Sequence, residues 1–489
     1  MFEGATSQFI KSRAGGGPFA GICAEAVESA TGMIQVQLDP KRRFHHALRA
    51  MNSIAPLVSA ATAFAVISCA APARSADPVV PATAPTSGQL SNASGQPVKR
   101  APTDHVTNYD EAKVGNYTLP DPLVLNDGEP VRDAAGWYHK RRPEILELYR
   151  RYIYGRVPED APKTSSEVES VDSQAFDGSA VRKVVATRFG NGPHAPLVHV
   201  VIYIPARHVA PVPVLLHLTF RGEPPPASEP VRGDQGGRPG ELGPIAEILA
   251  RGYAYAFYRY TDLQPDSAET GASGVEALTA PPGGDRAPDA WGTISVWAWG
   301  ASRILDYLQT DPALDAKRVA LIGHSRLGKT VLWAGAQDPR FALVFSSCAG
   351  EMGSALSRRD YGETVDDMVH DLYWQFAPNF RQYAGHWNNL PVDAHMLIAL
   401  NAPHPVLITA GSRDLWADPR GEFLAAVAAG PVYRLLGVKD LGATELPSLD
   451  MPLDSGNLAF LYHDGPHAII AEDWKTFLDY ADRYLRRPQ

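Results

Sequence analysis

Cysteine is scarce in this chain: Cys23, Cys69 and Cys348 are the only thiols among 489 residues. The first two lie in a segment expected to be removed or unstructured. That leaves a single thiol in the folded part and excludes a disulfide framework there. No H-E-x-x-H occurs and no Cys/His cluster has metal-ligand spacing, although fifteen histidines are present, so no metal and no other cofactor is expected. A basic excess is also lacking. Lys and Arg number 45 against 54 Asp and Glu, a net charge of −9, which argues against a nucleic-acid-binding surface. Long apolar runs are missing too. The stretch from Ile54 to Ala71 is too short and alanine-rich for a membrane span. What remains, 45% hydrophobic and 20% charged residues, describes an ordinary soluble globular protein.

The beginning of the chain speaks to location. Lys41, Arg42, Arg43 and Arg49 precede that apolar run, and small residues follow it, with Ala71-Pro72-Ala73 as a cleavage signature. This is the layout of a secretory signal peptide, so residues 1–76 read as a leader and the protein as secreted or periplasmic. Residues 1–40 sit oddly ahead of that layout, which makes Met33 and Met51 alternative starts. "VISC" at 66–69 resembles a lipoprotein site that would leave a lipid anchor on Cys69. Residues 77–107, rich in Pro, Ala, Ser and Gly, read as a disordered linker. Residues 108–489 then form one catalytic domain, expected to act as a monomer.

Within that domain, β-branched runs alternate with amphipathic stretches. "LVHVVIYIPA", "VPVLLHLTF", "AYAFYRY", "RVALIG", "ALVFSS" and "HPVLITAG" read as strands. "WGTISVWAWGASRILDYLQT", "GKTVLWAGAQD", "PRGEFLAAVAA" and "EDWKTFLDYADRYLRR" read as helices. Alternation at this spacing predicts an α/β three-layer sandwich with a mostly parallel central sheet, whose ligands sit at the carboxyl ends of the strands.

"GHSRLGKT" at 323–330 lies at such an end and fits two chemistries. Read as G-x-x-x-x-G-K-[ST] it is a phosphate loop. Read as G-x-S with a late second glycine it is a nucleophile elbow. A phosphate loop usually follows an early strand, whereas this one comes late in the domain. It also needs an Mg²⁺-supporting Asp on a neighbouring strand, and "ALVFSSC" ends in Ser and Cys. The elbow reading finds its partners in the chain order Ser…Asp…His. Asp414 follows the strand "PVLITAG", and His467 lies in "YHDGPH" before the last helix. Asp418 and His463 are the competing acid and base.

The residue types suit acyl transfer. A serine hydroxyl is a weak nucleophile until an imidazole takes its proton, and the same imidazole later protonates the leaving alcohol. A carboxylate fixes the tautomer and stabilises the imidazolium. The backbone N–H of Arg326, opening the next helix, is placed for the oxyanion. This makes Ser325, His467, Asp414 and Arg326 the candidate catalytic set of an α/β-hydrolase.

Around these residues, "GHSRLGKT", "LSRRDYGETV", "YWQFAPNFRQY", "DLWADPRGEF", "PVYRLLG" and "RRPEILELYRRYIYGRVPE" together resemble the glucuronoyl esterases in their bacterial branch, over roughly 110–489. The resemblance implies cleavage of esters between 4-O-methyl-glucuronic acid on xylan and lignin alcohols, with glucuronoxylan or a lignin–carbohydrate ester as the partner. It implies that Arg326 assists the oxyanion with its side chain as well, that Lys329 and Glu363 bind sugar hydroxyls, and that Trp416 packs against the sugar. Many members carry a glutamate as the acid where this chain has Cys348. Asp414 must then supply the acid alone, with Glu351 as the substitute. Three other readings compete: a carbohydrate esterase with a different ester such as acetyl, a phosphate-loop nucleotide-binding protein, and a non-catalytic carbohydrate-binding relative.

Overall fold

The computed structural model describes residues 90–486, apart from 93–94, 209–210, 223–240, 270–272 and 281–285. The leader, its cleavage signature and Cys69 lie outside the described residues.

Nine strands form one sheet: Thr164–Asp172 (β1), Ala180–Phe189 (β2), Leu197–Pro205 (β3), Val212–Thr219 (β4), Ala254–Arg259 (β5), Leu314–His324 (β6), Phe341–Ser347 (β7), Val406–Gly411 (β8) and Leu458–His463 (β9). They lie in the order β9-β8-β7-β6-β4-β5-β3-β2-β1. From β9 to β5 all neighbours run parallel. The chain then turns to an antiparallel extension through β3, β2 and β1. The sheet is therefore mostly parallel, as the alternating pattern predicts. β1, "TSSEVESVD", escapes that pattern because it is an outer strand exposed along nearly its whole length and carries little hydrophobic signal, and in β2, "AVRKVVATRF", Arg182, Lys183 and Arg188 interrupt the apolar run.

Alternation along each strand sends side chains to two faces. Val319 and Leu321 of β6 join the larger hydrophobic cluster, and Ala320 and Ile322 the smaller one. Helices Arg142–Tyr152 (α1), Thr293–Leu308 (α2), Arg326–Gln337 (α3) and Pro419–Leu435 (α4) contribute to the larger cluster. The smaller cluster is closed by Ala471–Leu485 (α5) through Trp474, Phe477, Leu478 and Ala481. Two apolar layers around a buried sheet are the three-layer sandwich expected above. Among the described residues, no helix is long and apolar enough to cross a membrane.

The part of the expected linker that the structure describes, from residue 90, has structure of its own. Leu90–Ser91 pairs with Pro97–Val98 as a small antiparallel hairpin. Beyond it, Thr103 Oγ1 donates to Asp366 at 2.9 Å, and Gly362 N–H donates to Asn108 C=O at 2.8 Å. Side-chain and backbone tethers thus dock a segment that has few apolar residues of its own.

The segment 357–371, which carries Glu363, rests on a buried ion pair. Arg358 meets Asp393 at 3.0 Å and also donates to the carbonyls of Val392 and Leu390, at 3.0 and 2.5 Å. Asp393 accepts from Ser357 N–H and Ala394 N–H. Arg358→Ala leaves that carboxylate buried without its charge partner. It is expected to lower the unfolding free energy by about 3–5 kcal/mol, read as a lower midpoint in chemical denaturation.

Candidate active site

β6 ends at His324, and the chain turns sharply through Ser325 into α3. Ser325 takes φ +59° and ψ −128°, a backbone conformation that L residues rarely adopt and that functional turns retain. Three hydrogen bonds hold it: Ser325 N–H donates to Ser347 C=O and Gly328 N–H to Ser325 C=O, both at 2.8 Å, and Lys329 N–H donates to Ser325 C=O at 3.2 Å. The two glycines of "GHSRLGKT" are steric requirements of this turn. A Cβ on Gly323 would lie 2.1 Å from Leu327 C=O, and one on Gly328 would lie 2.9 Å from Ala349 Cβ.

Asp414 follows β8 and is buried, 5% exposed. Its Oδ2 lies 2.5 Å from Nδ1 of His467, on the loop after β9. The two loops are laced together: Ser412 N–H donates to His463 C=O, and Arg413 N–H to Gly465 C=O, both at 2.9 Å. Parallel pairing of β8 with β9 brings both loops to one edge of the sheet, so residues 53 positions apart meet. His467 lines a cavity of about 330 Å³ together with Phe220, Tyr260, His324, Ser325 and Arg326. The imidazole of His324 stands 4.5 Å from that of His467, centre to centre.

The competing residues have other partners. His463 Nδ1 pairs with Asp473 at 2.7 Å, and both side chains are fully buried. Asp418 caps α4 through Gly421 N–H and pairs with Arg359 at 2.8 Å. Glu351 accepts from Ser357 Oγ at 2.6 Å, and burial pushes its carboxyl well above the usual range. Cys348 sits at the end of β7, with its Sγ within 4.8 Å of the ligand atoms of both Asp414 and His467. Burial, and next the Asp414 charge, push its thiol well up, so it stands beside the pair as a neutral group. Among the described residues, these three are the one set that combines metal-ligating types at such range. A metal there would have to displace the proton shared between His467 and Asp414.

Lys329, Glu363 and Trp416 do not line the cavity; they form a second cluster beside α3. Lys329 Nζ is 3.8 Å from Glu363 Oε2, and the lysine side chain is 5% exposed. Burial pulls its ammonium below the ordinary value, partly opposed by Glu363. A lysine whose charge is already matched by a carboxylate does not fit a phosphate loop, whose lysine must be left to meet an anion. Glu363 N–H donates to Trp416 C=O at 2.8 Å, which ties the two together.

Asp266 was not visible to sequence reasoning. Its carboxylate accepts from Arg326, from Trp374 Nε1 at 2.8 Å, from Gln375 Nε2 at 2.9 Å and from Tyr260 OH at 2.9 Å. Burial alone would raise this carboxyl, but the Arg326 guanidinium and the other donors more than offset that and leave it below the ordinary value. The guanidinium beside the elbow is thus held from behind by a residue 60 positions away in sequence. No local pattern marks such a residue, because its partners come from three separate segments.

Glu422 of α4 lies beneath the loop after β7. Its Oε1 accepts from Gly350 N–H at 2.9 Å and from Ser354 Oγ at 2.6 Å. Burial pushes its carboxyl up to about 8, and the neighbouring Asp414 and Asp418 add to the rise. Its folded value exceeds the unfolded one, so this contribution is fully present below pH about 4.5. It is lost as pH rises towards about 8. Glu422→Gln keeps the acceptor and removes the titration. The pH dependence of the unfolding midpoint across that window should therefore be flatter in the variant than in the parent.

The family described as "Glucuronyl esterase, fungi" matches residues 286–437. A carbohydrate esterase designated MZ0003, from an unknown prokaryotic organism, is 40% identical over 409 residues, covering 77% of this chain and 92% of the relative. The 4-O-methyl-glucuronoyl methylesterase of Schizophyllum commune is 31% identical over 338 residues, 66% of this chain and 75% of that protein. The solved glucuronoyl esterase from Solibacter usitatus superposes with a TM-score of 0.71 at 40% identity, covering 76% of this chain and 99% of its own. The chain belongs to the glucuronoyl esterase family and is a carboxylic ester hydrolase with the α/β-hydrolase fold.

Proposed function

We propose that this protein is an exported serine esterase that cleaves esters of 4-O-methyl-glucuronic acid, as in xylan–lignin linkages, through an acyl-enzyme. The observation that carries the reading is the 2.5 Å contact between His467 Nδ1 and Asp414 Oδ2, behind an imidazole that shares one cavity with Ser325. Names of relatives such as 4-O-methyl-glucuronoyl methylesterase support the substrate class. The basic-then-apolar layout of residues 41–73 supports export.

In this mechanism Ser325 Oγ attacks the uronoyl carbonyl while Nε2 of His467 takes its proton. Asp414 holds Nδ1–H and stabilises the imidazolium. Arg326 opens α3, so its backbone N–H belongs to the first turn, which lacks intrahelical acceptors. That N–H and the guanidinium anchored on Asp266 stabilise the oxyanion. Collapse of the tetrahedral intermediate expels the alcohol, which receives its proton from His467. Water then repeats the sequence on the acyl-enzyme and releases the uronic acid. Lys329 and Glu363 bind the sugar hydroxyls, and Trp416 offers its indole to the apolar face of the ring. The buried Cys348 thiol and the Ser357-bound Glu351 take no part as acids.

Kinetics on benzyl glucuronate test the assignment. Ser325→Ala should reduce kcat by roughly 10⁶-fold and Asp414→Asn by roughly 10⁴-fold, whereas Glu351→Gln should stay near the parent. A small loss in Asp414→Asn would move the acid elsewhere. Hydrolysis of an acetylated sugar as fast as of the glucuronate ester would remove the uronate assignment while leaving the serine mechanism intact.

A further inference from the structure

The segment ahead of the catalytic domain has a feature that neither its composition nor the family comparison accounts for. From residue 95 to 109 it runs along 359–371, the stretch that presents Glu363. Lys99 leaves this segment with its Nζ 4.7 Å from the centre of the Trp416 ring and 2.8 Å from Asp371 Oδ2. Nearby, Gln96 Nε2 donates to Arg413 C=O at 3.2 Å, beside Asp414. Tyr109 OH donates to Pro97 C=O at 2.6 Å, which folds the segment back on itself. Lys99 is further fixed by its own backbone, with N–H to Thr107 Oγ1 at 3.0 Å and C=O from Thr107 N–H at 3.1 Å.

We propose that residues 95–109 form a wall of the sugar-binding face, and that Lys99, held on the Trp416 indole by Asp371, is a specificity-determining residue for the carbohydrate half of the ester. The proposal rests on the reading of Trp416 and Glu363 as sugar contacts given above.

An ammonium over an indole is attracted by the ring quadrupole, so Lys99 restrains the orientation of Trp416 and covers part of one ring face. A pyranose stacking on this indole must then use the area left open. An ammonium also has three N–H donors. Asp371 accepts one and the ring face faces another, which leaves a donor for a hydroxyl or ring oxygen of a bound sugar. Finally, burial alone would lower the Lys99 ammonium, but Asp371, Asp367 and Glu363 raise it above the ordinary value. The group therefore stays cationic and balances a locally acidic rim. A polyol is the chemical class that rewards this combination of aromatic face, cation and carboxylate.

Lys99→Met keeps the apolar stem on the indole and removes the ammonium. Lys99 is half-buried at the surface, so the variant should fold, which its thermal unfolding verifies. The quantity to follow is the ratio of kcat/KM on benzyl glucuronate to kcat/KM on p-nitrophenyl acetate, an ester without a sugar. The ratio should fall about fivefold, carried by a higher KM for the glucuronate ester rather than by kcat. Asp371→Asn, which releases Lys99, should shift it in the same direction, and Lys99→Arg should restore most of it. An unchanged ratio, or a fall in kcat alone, would overturn the proposal. Should the parent prefer an acetylated sugar, the uronate reading fails separately. The same ratio, taken on that sugar ester, then still decides the role of Lys99.

Discussion

Everything at this site depends on a histidine whose orientation is imposed from outside its own loop. His467 lies between β9 and α5 in a short segment containing Gly465 and Pro466, with no helix or strand to hold its ring. Its direction comes from Asp414 at 2.5 Å, and Asp414 is itself fixed because the loops after β8 and β9 exchange backbone hydrogen bonds. A buried carboxylate that accepts from an imidazole selects the tautomer with the proton on Nδ1 and leaves Nε2 to act as a base. On the proposed mechanism, that constraint is what supplies the Ser325 hydroxyl with a proton acceptor. The parallel pairing of β6, β7, β8 and β9 is what brings the turn, Cys348, Asp414 and His467 to one edge.

The arrangement around Cys348 illustrates how an acid can sit at either of two strand ends. β7 and β8 are neighbours, and both finish within reach of the same imidazole. In this chain the β7 end carries a thiol that burial keeps protonated, and the β8 end carries the carboxylate. A similar economy of position governs Arg326. The Arg326 guanidinium is held at one nitrogen by Asp266, whose carboxylate Trp374, Gln375 and Tyr260 also hold. The cavity wall and the anchor of the guanidinium are therefore one network drawn from three segments.

Much of this was legible in the sequence, for definite reasons. The six apolar strand runs stand out because buried parallel strands need apolar side chains on both faces. The elbow stands out because Gly323 and Gly328 are sterically required. Asp414 and His467 could be chosen over Asp418 and His463 from chain order and loop setting, and the ion pairs with Arg359 and Asp473 explain why the alternatives are occupied elsewhere. Other features were out of reach. β1 is a polar outer strand with no hydrophobic alternation to detect. Asp266 meets its partners only in three dimensions. Residues 95–107 read as linker because their docking relies on single polar side chains such as Lys99 and Thr103 rather than on an apolar face.

The central claim, that Asp414 alone orients the base, is tested most directly at the proton between the two side chains. In enzyme labelled with ¹⁵N-histidine, the account predicts a strongly deshielded proton resonance coupled to Nδ1 of His467. That resonance should be lost in Asp414→Asn and retained in Glu351→Gln. A resonance that survives Asp414→Asn, or that disappears in Glu351→Gln, would contradict it.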